Sequence, residues 1–127
     1  MTKVMIIEKG HELRDEVQQY LERMGHQVVG AYPTVFEGIG AIEEKISDPN
    51  IILINPNLPN VERLVVYIKE NYRDIGIIVM LESLTKPKIL NLLINGCDNF
   101  LFYDHYERKL ATAIEDVQQG DSVISGP

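Results

Sequence analysis

The sequence has little cysteine, few basic residues and no long apolar run, and each shortage excludes a class of protein. A single cysteine, Cys97, cannot form an intramolecular disulfide, which fits a reducing cytoplasm. The 12 basic residues are outnumbered by 19 acidic ones, and the formal charge of −7 argues against direct binding of nucleic acid or of an anionic membrane. Because no apolar run approaches the length of a membrane span, we expect a cytoplasmic domain without a membrane segment.

Signals for cofactor and metal sites are also scarce. The chain has no Gly-rich loop of the kind that cradles phosphates. His11 and Asp15 are spaced four residues apart, but two ligands without a third favour exposed residues of a helix over a metal site. Cys97 is most simply a small buried hydrophobe. We therefore expect neither a cofactor nor a metal.

Short apolar runs are the clearest positive feature of this chain of 127 residues, which is long enough for one domain with a real core. Unbroken apolar runs are typical of strands that are buried on both faces of a parallel sheet. The predicted strands are residues 4–7, 27–31, 51–54, 77–81 and 100–102.

Helical spacing of apolar residues follows each predicted strand. The first helix carries Leu13 and Met24 and stops at Gly25. A second helix opens at Thr34 with Glu37, a capping-box signature, and its apolar residues extend to Ile46. The third, fourth and fifth helices are predicted to start at Pro59, at Pro87 and near Leu110, with the last two ending at Gly96 and Gly120.

This alternation predicts an α/β fold with a doubly wound, five-stranded parallel sheet of flavodoxin-like order 2-1-3-4-5 and five helices. Residues 1–120 are expected to form the domain, and residues 121–127 to begin a linker. In such a sheet, ligands and chemistry belong at the carboxyl ends of the strands. The polar residues expected there are Glu8, Lys9, Asn55, Glu82, Ser83, Tyr103 and Asp104. Five of them, Glu8, Lys9, Asn55, Glu82 and Tyr103, are expected to converge on one cleft.

Asn55 is the most informative of these residues. It ends the apolar run 51–54 and is followed by a loop between Pro56 and Pro59. An amide cannot accept a phosphoryl group as a carboxylate does, and it is a poor ligand for a hard cation. The chain thus combines the scaffold of a chemical switch with a side chain that lacks the chemistry.

Together these motifs resemble the receiver domain of bacterial two-component response regulators over nearly the whole chain. In that family the first strand ends in an acidic pair that holds Mg²⁺, where Glu8 and Lys9 stand here. The third strand ends in the phosphorylated Asp with a Pro four residues later, matched by Asn55 and Pro59. The fourth strand ends in Thr or Ser, where Glu82 and Ser83 stand. Residues 96–104, GCDNFLFYD, align with the fifth-strand motif and put Tyr103 in place of its Lys.

The resemblance therefore implies the family's fold without its phosphorylation chemistry, because only the carboxylate of Glu8 is retained in type. We expect a fixed polar network in which Lys9 pairs with Glu8 or Glu82. A decayed site without function and a small-ligand site in the same cleft are the alternatives. Phe100 occupies the family's switching position and is expected to be a static packing residue.

The predicted last helix and the residues that follow it indicate which subfamily the chain resembles. Residues 110–120 and 123–125 are similar to the last receiver helix and linker of NarL/FixJ-type regulators, in which a LuxR-type helix-turn-helix domain follows.

The fourth helix has apolar residues on more than one side. Leu90 and Ile94 are four residues apart, while Ile89, Leu92 and Leu93 can share the core face. An exposed Leu90/Ile94 patch would be a partner surface, and a wide core stripe is the alternative.

We accordingly predict a pseudo-receiver, a non-enzymatic protein-interaction domain that acts independently of phosphorylation. It would dimerise or dock through the fourth helix, fifth strand and fifth helix, and would regulate transcription through a DNA-binding output domain. The alternatives are a ligand-sensing module that uses the former phosphorylation cleft, and a phosphorylated receiver with another acceptor such as Ser83.

Overall fold

The computed structural model describes residues 2–82 and 86–124, which form a parallel sheet between two layers of helices. The strands are β1 (Lys3–Ile7), β2 (Gln27–Tyr32), β3 (Ile51–Ile54), β4 (Gly76–Leu81) and β5 (Phe100–Phe102). Their order is β2-β1-β3-β4-β5 and every neighbouring pair is parallel, which confirms the predicted sheet.

Strand β3 lies in the middle of the sheet, and all of its residues are buried. Its last residue, Ile54, is in register with Ile7 of β1 and with Val79 of β4. The register places the residues that follow β1 and β3 side by side at the carboxyl edge of the sheet. Ser83, one of the predicted residues of that edge, lies outside the described residues.

Within the described residues, five α-helices cover the two faces, as predicted: α1 (His11–Arg23), α2 (Val35–Glu43), α3 (Val61–Asn71), α4 (Lys86–Ile94) and α5 (Leu110–Gln118). Helices α1 and α5 pack on one face of the sheet, and α2, α3 and α4 pack on the other. The core between the sheet and helices α1 and α5 includes Val17, Leu21, Leu110 and Ile114. The core between the sheet and the other three helices includes Ile42, Leu64, Ile68 and Leu92. No helix in the described ranges is long and apolar enough to cross a membrane.

Two helix boundaries differ from the prediction. Helix α2 ends at Glu43, so Ile46 is outside it and is 69% exposed. The cause is Lys45, which adopts a left-handed conformation (φ 59°) and lets the N–H of Ile46 bond back to Ala41.

Helix α3 does not start at Pro59 but at Val61. Asn60 precedes the helix in a left-handed conformation (φ 69°), which Asn tolerates better than most residues. Its carbonyl accepts the first helical bond, from the N–H of Leu64. Pro59 therefore belongs to the turn before the helix.

The segment after α5 returns to the edge of the sheet. The N–H of Phe100 donates to the carbonyl of Val123 at 2.7 Å, and the N–H of Val123 donates to Asn99 Oδ1 at 2.9 Å. A parallel bridge joins Phe100 to Ile124. The described part of the predicted linker thus covers the start of the β5 edge.

Candidate functional site

Four of the five residues predicted to converge on one cleft come together in one hydrogen-bonded network at the carboxyl edge of the sheet. Glu8 follows β1, Asn55 follows β3, Glu82 follows β4 and Tyr103 follows β5. We call these four residues the edge network. They meet because parallel strands bring their carboxyl ends to one edge of the sheet.

Glu8 is the centre of the edge network and is only 4% exposed. Its Oε1 accepts hydrogen bonds from Asn55 Nδ2 at 2.8 Å and from the Tyr103 hydroxyl at 2.9 Å. Its Oε2 accepts from the N–H of Gly10 at 2.6 Å. Three donors therefore replace the water that burial removes from this carboxylate.

The side-chain amide of Asn55 uses its donors and its acceptor. Nδ2 donates to Glu8 and, at 3.2 Å, to Glu82 Oε1. Oδ1 accepts from the N–H of Asn57 at 2.9 Å, which makes a local turn after β3. Since Asn55 is 6% exposed, these bonds hold the amide in one orientation, with its NH₂ toward the two acidic side chains.

Tyr103 stands where the resemblance places a Lys, and it supplies a neutral donor. Burial raises the pKa of Tyr103 above its ordinary value of 10.0, and the nearby carboxylate of Glu8 raises the pKa further. The hydroxyl therefore keeps its proton at neutral pH and donates a hydrogen bond to Glu8.

The predicted pairing of Lys9 with Glu8 or Glu82 is wrong. Lys9 is exposed, and no ion pair joins it to either carboxylate, although all three residues are described. The reason is that Glu8 turns inward to three neutral donors, whereas Lys9 lines a separate pocket beside the network.

Several groups that support the edge network were not predicted. Arg14 on α1 donates through Nη1 to the main-chain carbonyl of Glu8 at 2.9 Å and reaches the carbonyl of Lys9 at 3.4 Å. Lys88 on α4 lies 3.5 Å from Asn57 Oδ1. The N–H groups of Gly10 and Asn57 belong to the main chain, which is the same in almost every residue type. The sequence pattern therefore could not predict that they donate to the network.

A divalent cation does not fit this arrangement. In the resembling family, Mg²⁺ is held by an acidic pair where Glu8 and Lys9 stand, but here the second residue is a Lys and the NH₂ of Asn55 occupies the space between Glu8 and Glu82. Hard cations need oxygen ligands rather than N–H donors. Within residues 2–82 and 86–124, no group of three or more His, Cys, Asp or Glu side chains could hold a metal. His11 Nε2 lies 3.3 Å from Asp15 Oδ2, and both side chains are exposed.

The structure also gives the exposure of Phe100 and of the apolar residues of α4. Phe100 is buried in the core (2% exposed), while its lack of movement stays a prediction. On α4, Leu90 is 56% and Ile94 is 80% exposed. Leu93 was expected on the core face, but it is 39% exposed because it lies three residues after Leu90 on the same side of the helix. Leu92 alone of these leucines is buried.

Comparisons with known proteins define the class of fold. No family model matches the chain, and no curated protein matches it. A LuxR-family response regulator from Aurantimonas sp. SI85-9A1 is 18% identical, with a TM-score of 0.85 over 98% of this chain and 90% of that chain. The chain therefore has the fold of response regulator receiver domains.

The particular structures that it resembles include the regulator RcsB. The non-phosphorylated receiver domain of RcsB from Escherichia coli is 17% identical, with a TM-score of 0.85 over 98% of both chains. An RcsB–DNA complex matches at 17% identity and a TM-score of 0.84, over 98% of this chain and 63% of that one. At this level of identity, the likeness establishes the fold.

Proposed function

We propose that this chain is a pseudo-receiver, a non-enzymatic regulatory domain that acts through protein contacts and independently of phosphorylation. The observation that supports this most is the Asn55 amide, which donates to Glu8 and Glu82 at the end of β3. The resemblance puts the phosphorylated Asp at this position. An amide oxygen is not the carboxylate nucleophile that forms an acyl phosphate.

The residues around Asn55 support the same proposal. Phosphoryl transfer depends on cations that neutralise the developing charge. Tyr103 is neutral where the family's Lys would stand, and Glu82 adds negative charge beside it. Lys9 is exposed and pairs with neither carboxylate, so it does not supply the missing charge to the edge network.

Complete hydrogen bonding favours a maintained network over a decayed site. Glu8 has three donors, and the Asn55 amide is bonded through both Nδ2 and Oδ1. A half-satisfied buried network destabilises a core, whereas a satisfied one rigidifies it. The edge network would thus hold one conformation of the domain without phosphate.

The output of the domain would be transcriptional. Residues 1–120 would form the pseudo-receiver, and residues 121–127 would begin a linker to a helix-turn-helix domain. DNA would be bound by that output domain and not by this acidic chain, whose net charge is −7. A complex of RcsB with DNA is among the similar structures, which supports this arrangement.

Partner binding would use the face formed by α4, β5 and α5. Leu90, Leu93 and Ile94 expose 56%, 39% and 80% of their surface there. Clustered apolar side chains on a helix surface mark interaction sites in many proteins. A second copy of the chain is the simplest partner for this α4 patch.

Treatment with acetyl phosphate and Mg²⁺ followed by intact-mass measurement tests the proposal. We expect no added phosphoryl group on the chain and no change in its elution on size exclusion. The matched control is an authentic receiver domain treated in parallel. A stable phosphoryl adduct on this chain, at Ser83 or elsewhere, would contradict phosphorylation independence.

Ligand sensing is the second candidate function. It is favoured by one observation, an apolar pocket that adjoins the edge network and contains an unpaired lysine side chain among the residues described.

A further inference from the structure

A pocket of about 530 Å³ opens beside the edge network, between the loops that follow β1, β2 and β3. Its volume is in the range of small-molecule sites, roughly 300–1,000 Å³. Val35 and Leu58 are almost fully buried, at 2% and 7% exposed, whereas Phe36 is 62% exposed at its margin. The apolar part of the lining is completed by Pro33 and Pro59.

Two polar side chains in this pocket have no partner within the described part of the chain. Lys9 forms no ion pair there, and its side chain makes no hydrogen bond. Asn60 makes no side-chain capping bond to α3 although it precedes that helix. By contrast, the hydroxyl of Thr34 is occupied, since it donates to Glu37 Oε2 at 2.9 Å and accepts from the Glu37 N–H.

We propose that this pocket binds a small organic acid that has one carboxylate and a compact aromatic or branched aliphatic body. The carboxylate would pair with the Lys9 ammonium and accept a hydrogen bond from the Asn60 amide. The apolar body would cover Val35, Phe36 and Leu58. Such sites generally combine an apolar lining with a few polar groups that fix orientation.

The electrostatics select a singly charged ligand over a phosphate. Lys9 is the single cation among the described residues of the lining, and a phosphate dianion usually requires several donors. Glu37, bonded to Thr34 at the edge of the pocket, adds negative charge that opposes a multiply charged ligand. The net charge of −7 acts in the same direction.

The pocket shares its loops with the edge network. Lys9 directly follows Glu8, and Leu58 donates through its N–H to the carbonyl of Asn55 at 3.4 Å. A bound acid would therefore stiffen both segments that hold the Asn55 amide. The signalling role of this contact rests on the proposed function, whereas binding itself does not.

The test is an amide NMR titration of the full chain with phenylacetate, indole-3-acetate and 4-methylpentanoate. Phenylacetamide and inorganic phosphate serve as the neutral and the polyanionic probes. We expect at least one acid to give saturable shifts at Lys9, Val35, Phe36 and Leu58, with a Kd on the order of millimolar or tighter. Phenylacetamide and phosphate should bind at least about threefold more weakly.

Variants assign the binding to the pocket. Lys9→Met should weaken acid binding about three- to tenfold and remove the preference over the amide, while Phe36→Ala should weaken acid and amide alike. Both side chains are exposed, so folding is expected to persist. Lys45→Met, an exposed lysine outside this pocket, is the matched control and should leave binding unchanged.

Three results would overturn the proposal. They are no saturable shift with any of the acids, binding in the Lys9→Met and Phe36→Ala variants that equals binding in the parent chain, and stronger binding of phosphate than of the acids. The titration measures binding of an acid, whereas the proposed function fails if a phosphoryl group is found on the chain. Failure of this inference is therefore distinguishable from failure of the proposed function.

Discussion

At the scale of single residues, Asn55 differs from a phosphorylatable carboxylate in the direction of its hydrogen bonds. Its Nδ2 donates to Glu8 and Glu82, so two acidic side chains approach one NH₂ group. A carboxylate at the same place would turn these attractive contacts into contacts between like charges. The Asn55 amide thus allows the side chains of Glu8 and Glu82 to approach a common donor without a cation.

Asn55→Asp is predicted to lower the free energy of unfolding by about 2–4 kcal/mol at neutral pH, because it removes hydrogen bonds to charged groups and adds a like charge. Repulsion disfavours the ionised form in the folded state, so the folded variant binds protons more tightly than the unfolded chain. Part of the lost stability should therefore return as the pH falls into the range where carboxyl groups protonate. Urea denaturation from pH 7 to pH 4 measures this difference relative to the parent chain.

Asn57→Asp is the matched control, since Asn57 is exposed and lies two residues further along the same loop. Its effect should be within about 0.5 kcal/mol. Equal stability of the Asn55→Asp variant and the parent chain at pH 7 would refute the described hydrogen bonding of the amide.

Tyr103→Phe is predicted to cost about 1–3 kcal/mol, because buried Glu8 loses one of its donors. Since the pKa of Tyr103 is raised in the folded state, its hydroxyl stabilises the fold fully below pH 10 and progressively less above it. The variant should consequently lose stability less steeply above pH 10 than the parent chain does. Denaturation at pH 8 and at several pH values above 10 compares the two slopes, and parallel slopes would argue against the assigned role.

A double-mutant cycle with Glu8→Gln separates the Tyr103–Glu8 contact from other effects of each substitution. The cost of Tyr103→Phe should shrink when the acceptor is no longer a carboxylate. An unchanged cost would mean that the hydroxyl acts through some other group.

At the scale of secondary structure, apolar periodicity together with Pro, Gly and capping residues predicted the five strands and five α-helices that the described residues form. The preference for right-handed crossovers predicted their order in the sheet. Errors occurred where a single backbone conformation or a side-chain direction decides the outcome. Lys45 and Asn60 adopt positive φ angles, which few residue types indicate. The end of α2 and the start of α3 were therefore predicted at the wrong residues. The direction of Lys9 depends on which donors reach Glu8, and these include a main-chain N–H.

Within the candidate site, the convergence of Glu8, Asn55, Glu82 and Tyr103 followed from the sheet order alone, because each residue succeeds a parallel strand. Which atoms bond to which could not follow from the order. The amide of Asn55 could have faced either way, and its orientation is fixed by the N–H of Asn57 as well as by the acids.

Two glycines of α2 provide a test of how closely that helix packs. A Cβ on Gly38 would lie 2.6 Å from Ile7 Cδ1, whereas a Cβ on Gly40 would meet nothing within 4 Å. Gly38→Ala should therefore destabilise the fold by about 1–3 kcal/mol through overpacking against buried β1. Gly40→Ala should stabilise it by about 0.5–1 kcal/mol through helix propensity.

Thermal or urea denaturation of the two glycine variants gives the comparison directly. Each substitution adds one methyl group in the same helix, so propensity alone predicts similar gains. A stabilised Gly38→Ala variant would show that α2 lies further from β1 than the structure indicates.

At the scale of the whole molecule, the exposed apolar side chains of α4 are the proposed contact surface for a partner. Replacing Leu90 and Ile94 by Asp should abolish any concentration-dependent dimer, because it places charges in an apolar contact. Light scattering coupled to size exclusion over a concentration series measures the mass. Ile46→Asp is the matched control, since Ile46 is 69% exposed but lies outside α4.

A dimer that persists in the Leu90→Asp/Ile94→Asp variant but is lost in Ile46→Asp would locate the interface elsewhere. A monomer at every concentration of the parent chain would shift the role of the α4 patch to a different protein partner.

Independence from phosphorylation is tested most directly by adding Mg²⁺ and beryllofluoride to the ¹⁵N-labelled chain and recording its amide spectrum. We expect unchanged signals for Glu8, Asn55, Glu82 and the residues of β5, because the Asn55 amide provides no carboxylate for the beryllium and the edge network has no place for the metal. Saturable shifts that cluster at these residues would contradict independence from phosphorylation and would indicate a receiver domain that can be phosphorylated.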